Sequence, residues 1–350
     1  MIRLEAVTQA YGSFRALDGL SLSAGPGEVL GLLGPNGSGK TTAVKVISTL
    51  LTPNSGVVTV NGHNAATAPD AVRRSIGLSG QYAAVDEKLT GYENLHMVGR
   101  LYGLSRRDAA TRARELLEHF RLEAVAGKRA GQYSGGMRRR LDLAGALVAR
   151  PPVVILDEPT TGLDPRGRMD TWSAVRSLSA DGTCVLLTTQ YLEEADQLAD
   201  NIAVLDAGRV IAEGTAQELK DRAGSARIDV VTANSTDGER AARVLERASG
   251  NTEPAVVDAG GNRLGVPAPR GEATLAAALA ELAAAGIPVA EISLRRPTLD
   301  DVFLRLTGAS ASSAAPADPA DGDDDTSADH HTPLPVGVAV GGRGRQEVGS

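Results

Sequence analysis

The chain has 350 residues, of which 42% are hydrophobic and only 3% aromatic; that is enough apolar material for two or three domains with aliphatic cores. Its formal net charge of −7 argues against a general nucleic-acid binder. The charge is uneven, because Ala309 to Ser350 holds seven acidic and two basic residues and so carries −5, leaving −2 for the rest. A single cysteine, Cys184, excludes an intramolecular disulfide. Its apolar surroundings, TCVLLTT, predict a buried, inert thiol and suit a reducing compartment. The opening residues do not read as a signal peptide, and no apolar run nears the roughly 18–20 residues that cross a bilayer. A membrane role therefore needs a partner.

From Met1 to about Arg222 short β-rich runs alternate with helical ones. Glu28–Gly34 (EVLGLLG) reads as a buried strand, followed by a helix over Lys40–Leu50. Gly56–Val60, Ser75–Gly80, Val153–Asp157, Thr183–Thr189 and Asn201–Asp206 are further strand candidates. Strands alternating with helices predict a mainly parallel sheet covered by helices. From about 86 to 150 no strand pattern occurs. The run SRRDAATRARELLEHFRL, with Ser105 as a cap, reads as part of an inserted helical subdomain. A third block, 226–308, reads strand, helix, strand, strand, helix, strand, the split βαβ or ferredoxin-like order. A last short helix, TLDDVFLRL, closes it. The tail, 309–350, has few large apolar residues and is expected to be disordered. His330 and His331 within it lack other metal-ligand spacing.

Gly34, Pro35, Asn36, Gly37, Ser38, Gly39, Lys40 and Thr41 spell GPNGSGKT, which fits G-x-x-x-x-G-K-[ST] between a strand and a helix. Glycines let backbone N–H groups approach phosphate oxygens, and the helix adds its positive end. Lys40 is placed for the β- and γ-phosphates and the Thr41 hydroxyl for Mg²⁺, with Thr42 a second, weaker hydroxyl. No Asn-Lys-x-Asp segment supports a GTPase. VVILDEP, Val153 to Pro159, is a buried strand ending in two carboxylates. Asp157 suits Mg²⁺ through its water shell, and Glu158 suits polarising an attacking water. In YSGGMRRRLDLAGALVAR, Ser134 caps a helix whose start is opened by Gly135 and Gly136. This is either a plain loop-to-helix junction or a second phosphate-seeking terminus, which one nucleotide in one chain does not need. A second copy could use it across an interface.

The order of these motifs resembles the nucleotide-binding domain of ABC ATPases. YSGGM resembles the LSGGQ signature, and GLDP, with Asp164, resembles the D-loop. Gln81 resembles the Q-loop glutamine, which implies a Mg²⁺ contact, and Tyr11 resembles the aromatic residue that stacks on adenine. The resemblance covers about 1–222. More narrowly, YSGGM, TTQYLEEADQLAD and RRPTLDDVFLRLTG resemble the daunorubicin-resistance subfamily of drug exporters, which extends it to Gly308. One position departs from the wider family: Gln190 stands where a histidine usually contacts the γ-phosphate. Glutamine can still donate a hydrogen bond, but it carries no charge.

The expected fold is therefore an α/β P-loop core (1–222) with an inserted helical subdomain (about 86–150). A ferredoxin-like α+β domain (226–308), regulatory or dimerising, and the tail follow. The resemblance implies an ATPase using ATP and Mg²⁺ at the cytoplasmic face of a membrane. Its implied partners are a separate permease and a second copy of the chain, with no nucleic acid. Two other readings stay open. A soluble ABC ATPase acting on DNA or the ribosome usually carries two such domains or a long coiled coil. An ATP-binding module with little hydrolysis is suggested by Gln190 and opposed by Glu158.

Overall fold

The computed structural model describes residues 1–81, 84–250, 254–258 and 260–311. The chain opens with β1 (Ile2–Tyr11) and β2 (Phe14–Ala24), then β3 (Val29–Leu33) and α1 (Lys40–Ile47). Next come β4 (Ser55–Val60), β5 (His63–Asn64), α2 (Pro69–Ser75) and β6 (Ile76–Ser79). Three helices follow, α3 (Gly91–Leu101), α4 (Arg106–His119) and α5 (Gly135–Ala146). The α/β alternation resumes with β7 (Val153–Asp157), α6 (Pro165–Ala180), β8 (Cys184–Thr189), α7 (Leu192–Leu198), β9 (Asn201–Asp206), β10 (Arg209–Gly214) and α8 (Ala216–Arg222).

The central sheet has the order β10-β9-β3-β8-β7-β6, parallel except for the β9–β10 pair. Its central strands β3, β7 and β8 are buried at every position because both faces of the sheet are covered. Leu30, Leu32, Ile155 and Leu186 face one core with α1, β1, β2 and β4. Val29, Val154, Leu156, Val185 and Leu187 face a second core with α4, α5 and α6. Cys184 is fully buried in the first core, and burial pushes its thiol up to about 11.

One expectation needs correction. The run at Gly56–Val60 is a strand, but it lies in a separate antiparallel sheet, β2-β1-β4-β5, rather than in the parallel one. This sheet forms because β1 and β2 are long enough to pair as a hairpin around Tyr11↔Phe14. Between about 86 and 150 the described residues form only helical elements and loops. There Ser105 caps α4 by accepting from the Asp108 N–H, as its position predicts.

The third block forms β11 (Arg227–Thr232), α9 (Gly238–Ser249), β12 (Val256–Val257), β13 (Arg263–Pro267), α10 (Glu272–Ala284) and β14 (Val289–Arg295). Its antiparallel sheet order, β12-β13-β11-β14, is that of a split βαβ unit. The final helix, α11 (Leu299–Ala311), does not join this unit's core. Leu299 and Val302 instead pack with Leu33, Ala195, Ile202 and Leu219, against α7 and α8. The tail expected over 309–350 lies outside the described residues from 312 onward, His330 and His331 included. No helix among the described residues is long and apolar enough to cross a membrane.

Candidate active site

The phosphate loop starts where β3 ends in the sheet centre. At Gly34 a Cβ would lie 2.3 Å from the Leu205 carbonyl oxygen and 2.6 Å from Ser38 Oγ. Gly39 has φ +112°, and a Cβ there would lie 2.5 Å from the Ala16 carbonyl oxygen. At these two positions the loop is closed around backbone that leaves no room for a side chain. Gly39 also serves as the N-cap of α1 without a side-chain hydrogen bond, and no acid sits in the first turn. The first N–H groups of that helix are left for an anion. Ser38 Oγ is buried and has no hydrogen-bond partner among the described residues, a further donor within the cradle. This donor set fits a polyphosphate. Gly39→Ala is expected to destabilise the fold by about 1–3 kcal/mol through backbone strain. Thermal unfolding reads this as a lowered Tm.

Lys40 lies inside this loop. Its Nζ donates to the Gly34 carbonyl at 2.7 Å and the Pro35 carbonyl at 3.0 Å. It also stands 3.6 Å from Glu158 Oε1, with both side chains buried. Burial pushes the Lys40 ammonium below its usual range, and the Glu158 and Asp157 charges oppose that shift. Thr41 is exposed and Thr42 half-buried at the same helix start.

Asp157 ends β7, and its carboxylate accepts the Thr188 hydroxyl from β8. Glu158 has φ +50°, a left-handed conformation uncommon for a side-chain-bearing residue. Its N–H is held by the Thr188 carbonyl and Thr188 Oγ1, both at 3.1 Å. The neighbouring strand thus fixes a backbone bend that turns Glu158 toward Lys40. Strain of this kind concentrates at reactive sites. The Gly34 N–H donates to the Thr189 carbonyl at 3.3 Å, which brings Gln190, the next residue, beside the loop.

Comparison with known proteins decides the family. The model for the ABC transporter family matches residues 17–161, and that for the ATP-binding protein DrrA1-3-like C-terminal domain matches 214–307. The daunorubicin resistance ATP-binding protein DrrA3 of Streptomyces coeruleorubidus is 54% identical over 88% of this chain and 96% of its own. The daunorubicin/doxorubicin resistance ATP-binding protein DrrA of Streptomyces peucetius is 48% identical over 88% and 92%. The chain belongs to the DrrA family of ABC transporter ATP-binding proteins. Among solved structures, the dimeric post-hydrolysis state of the ATP-binding cassette MJ0796 with ADP and Pi matches at TM-score 0.58 and 29% identity. That match covers 61% of this chain and 98% of the other. This DrrA-family chain is thus an ABC ATPase that couples ATP hydrolysis to transport.

Not every expected site residue of the DrrA-family chain gathers at Lys40. Ser134 accepts from the Met137 N–H and caps α5. Asp164 accepts from the Gly167 N–H and caps α6. Gly136 neighbours Leu163, so these two caps stand together. Among the described residues no hydrogen bond or ion pair joins either of them, Gln81 or Tyr11 to the phosphate loop. Tyr11 is 47% exposed at the end of β1, and Asn36, Gly37 and Gln81 are exposed. At Gly135 and Gly37 a Cβ would meet nothing within 4 Å. Among the described residues none stands close enough to Gly135 to exclude a side chain there.

Sequence reasoning missed three residues here. Thr188 joins Asp157 to the Glu158 backbone. Arg139 and Asp142, on α5, form a buried pair 3.5 Å apart, where burial pushes the Asp142 carboxyl up and Ser79, Ala84 and Arg139 oppose it. The only signal was opposite charges three residues apart on a helix face that also carries Leu143 and Ala146.

Proposed function

We propose that this chain drives export of a hydrophobic drug or natural product through a separate membrane permease, as the names of its relatives suggest for them. The chain works at the cytoplasmic face of the membrane. The supporting observation is the buried group of Lys40, Asp157 and Glu158 at the mouth of a backbone cradle. Lys40 binds the β- and γ-phosphates, and Tyr11 stacks on adenine. Thr41, Asp157 and, through the loop it begins, Gln81 hold Mg²⁺, an oxygen donor set suited to a hard cation. When bound, Mg²⁺ supplies positive charge to the phosphates. Glu158 takes a proton from the attacking water, and Gln190 donates a hydrogen bond to the γ-phosphate. The exposed apolar Met97 and Leu101 on α3 support a permease surface on the helical subdomain near Gln81. The unit at 226–308 carries regulatory or dimer-stabilising work.

Two chains complete each site. Ser134, Gly135 and Gly136 of one copy meet the γ-phosphate held by Lys40 of the other, and Asp164 lies at the same interface. The open space at Gly135 and the dimeric relative with ADP and Pi support this arrangement. A chain carrying Glu158→Gln should dimerise with Mg-ATP, and adding Ser134→Arg should weaken that dimer at least tenfold, about 1.4 kcal/mol. The monomer should still bind ATP. Light scattering after size exclusion and nucleotide filter binding read the two effects. A full dimer in the double variant removes the two-chain site.

A further inference from the structure

The buried charges of α5 reach both loops that serve the chain's own nucleotide. Arg139 Nε donates to the Pro159 carbonyl at 3.0 Å and Nη2 to the Asp157 carbonyl at 2.9 Å, one on each side of Glu158. Its Nη1 donates to the Gly80 carbonyl, immediately before Gln81. One turn along, Asp142 accepts the Ser79 hydroxyl at 2.6 Å and the Ala84 N–H at 2.7 Å, one on each side of the Gln81 segment. Helix α5 lies tight on β6, since a Cβ at Gly77 would fall 2.0 Å from the Ala146 carbonyl oxygen. A buried guanidinium without partners is costly, and this one has three carbonyls and a carboxylate. The helix cannot shift by a fraction of an ångström without pulling on both loops.

The same helix begins with Ser134, Gly135 and Gly136. On the two-chain reading above, that end serves the nucleotide of the other copy, whereas Glu158 and Gln81 serve the chain's own. We infer that Arg139, supported by Asp142, is a positioning residue that transmits occupancy of the partner's site to Glu158 and Gln81, so that the two sites hydrolyse cooperatively. Arg139 touches neither nucleotide. It acts through four backbone and side-chain anchors: the carbonyls on either side of Glu158, the Gly80 carbonyl and Asp142.

The test measures steady-state ATPase activity of the purified full chain against ATP concentration. Arg139→Gln keeps an amide donor but loses the charge and the fork. It should lower kcat about tenfold with KM for ATP within about twofold, because the lost contacts position the reacting groups and do not bind ATP. The Hill coefficient should fall toward 1. Arg139→Lys should recover part of kcat. A purely structural arginine would lower Tm and leave kcat per folded chain and the Hill coefficient unchanged, and that result overturns the coupling. Should Arg139→Gln not fold, the nearly isosteric Asp142→Asn decides on the same readouts: a reduced kcat with a reduced Hill coefficient supports coupling, and wild-type values overturn it. Loss of the ATP dimer on Ser134→Arg, with normal cooperativity in Arg139→Gln, discards the coupling alone. A dimer that survives Ser134→Arg discards the two-chain site and the coupling with it.

Discussion

Glu158→Gln should stop turnover while ATP still binds. The amide is nearly isosteric with the carboxylate, so the left-handed backbone held by Thr188 is kept. What disappears is a group able to accept a proton, and a positioned general base contributes about 10²–10⁴-fold in rate. The variant also removes the carboxylate that stands 3.6 Å from the Lys40 ammonium, but Lys40 keeps its two carbonyl acceptors and its charge. Phosphate binding should thus survive and the ATP-loaded dimer should accumulate. Single-turnover phosphate release checks the first effect and light scattering with Mg-ATP the second. Wild-type phosphate release would remove Glu158 from the chemistry.

Lys40→Ala should act one step earlier, on binding. A charge-assisted contact to phosphate is worth about 1.5–3 kcal/mol, which corresponds to roughly 10–150-fold in affinity. The loss also strands the Gly34 and Pro35 carbonyls and leaves Glu158 without its counter-charge in a buried setting. Equilibrium binding of a fluorescent ATP analogue should show the weakened affinity, and ATPase activity should be abolished. Unchanged binding would mean that the cradle does not hold the phosphates through this side chain.

The sequence made the local structure of the candidate site readable wherever its residues are neighbours in the chain. The phosphate loop lies between a five-residue apolar strand and a helix, and the two acids at Asp157 and Glu158 end another such strand. The split βαβ order of the third block was equally plain, because each strand and helix kept its own period. The first sheet was not readable in the same way. In β1 the register shifts between Leu4 and Val7, and Ala6 has φ +47°, so a bulge breaks the alternation that announces a strand. Apart from their i,i+3 spacing, Arg139 and Asp142 gave no sign of their contacts, since their hydrogen-bond partners lie between 18 and 63 residues away and are mostly backbone atoms. The left-handed turn at Glu158 was hidden for a related reason: its anchor, Thr188, is 30 residues downstream.

The position of α11 sets a timetable for synthesis. Leu33, Ile202 and Leu219 share their apolar cluster with Leu299 and Val302, so the cassette cannot finish its own core when Arg222 has been made. At about 5–20 residues per second the ribosome needs roughly 4–16 s more to reach Val302. During that interval the cassette's flank by α7 and α8 exposes apolar side chains, while the intervening unit, with its separate core, can fold. A nascent chain arrested near residue 250 should therefore engage chaperones through this flank, and one extended well past Val302 should release them.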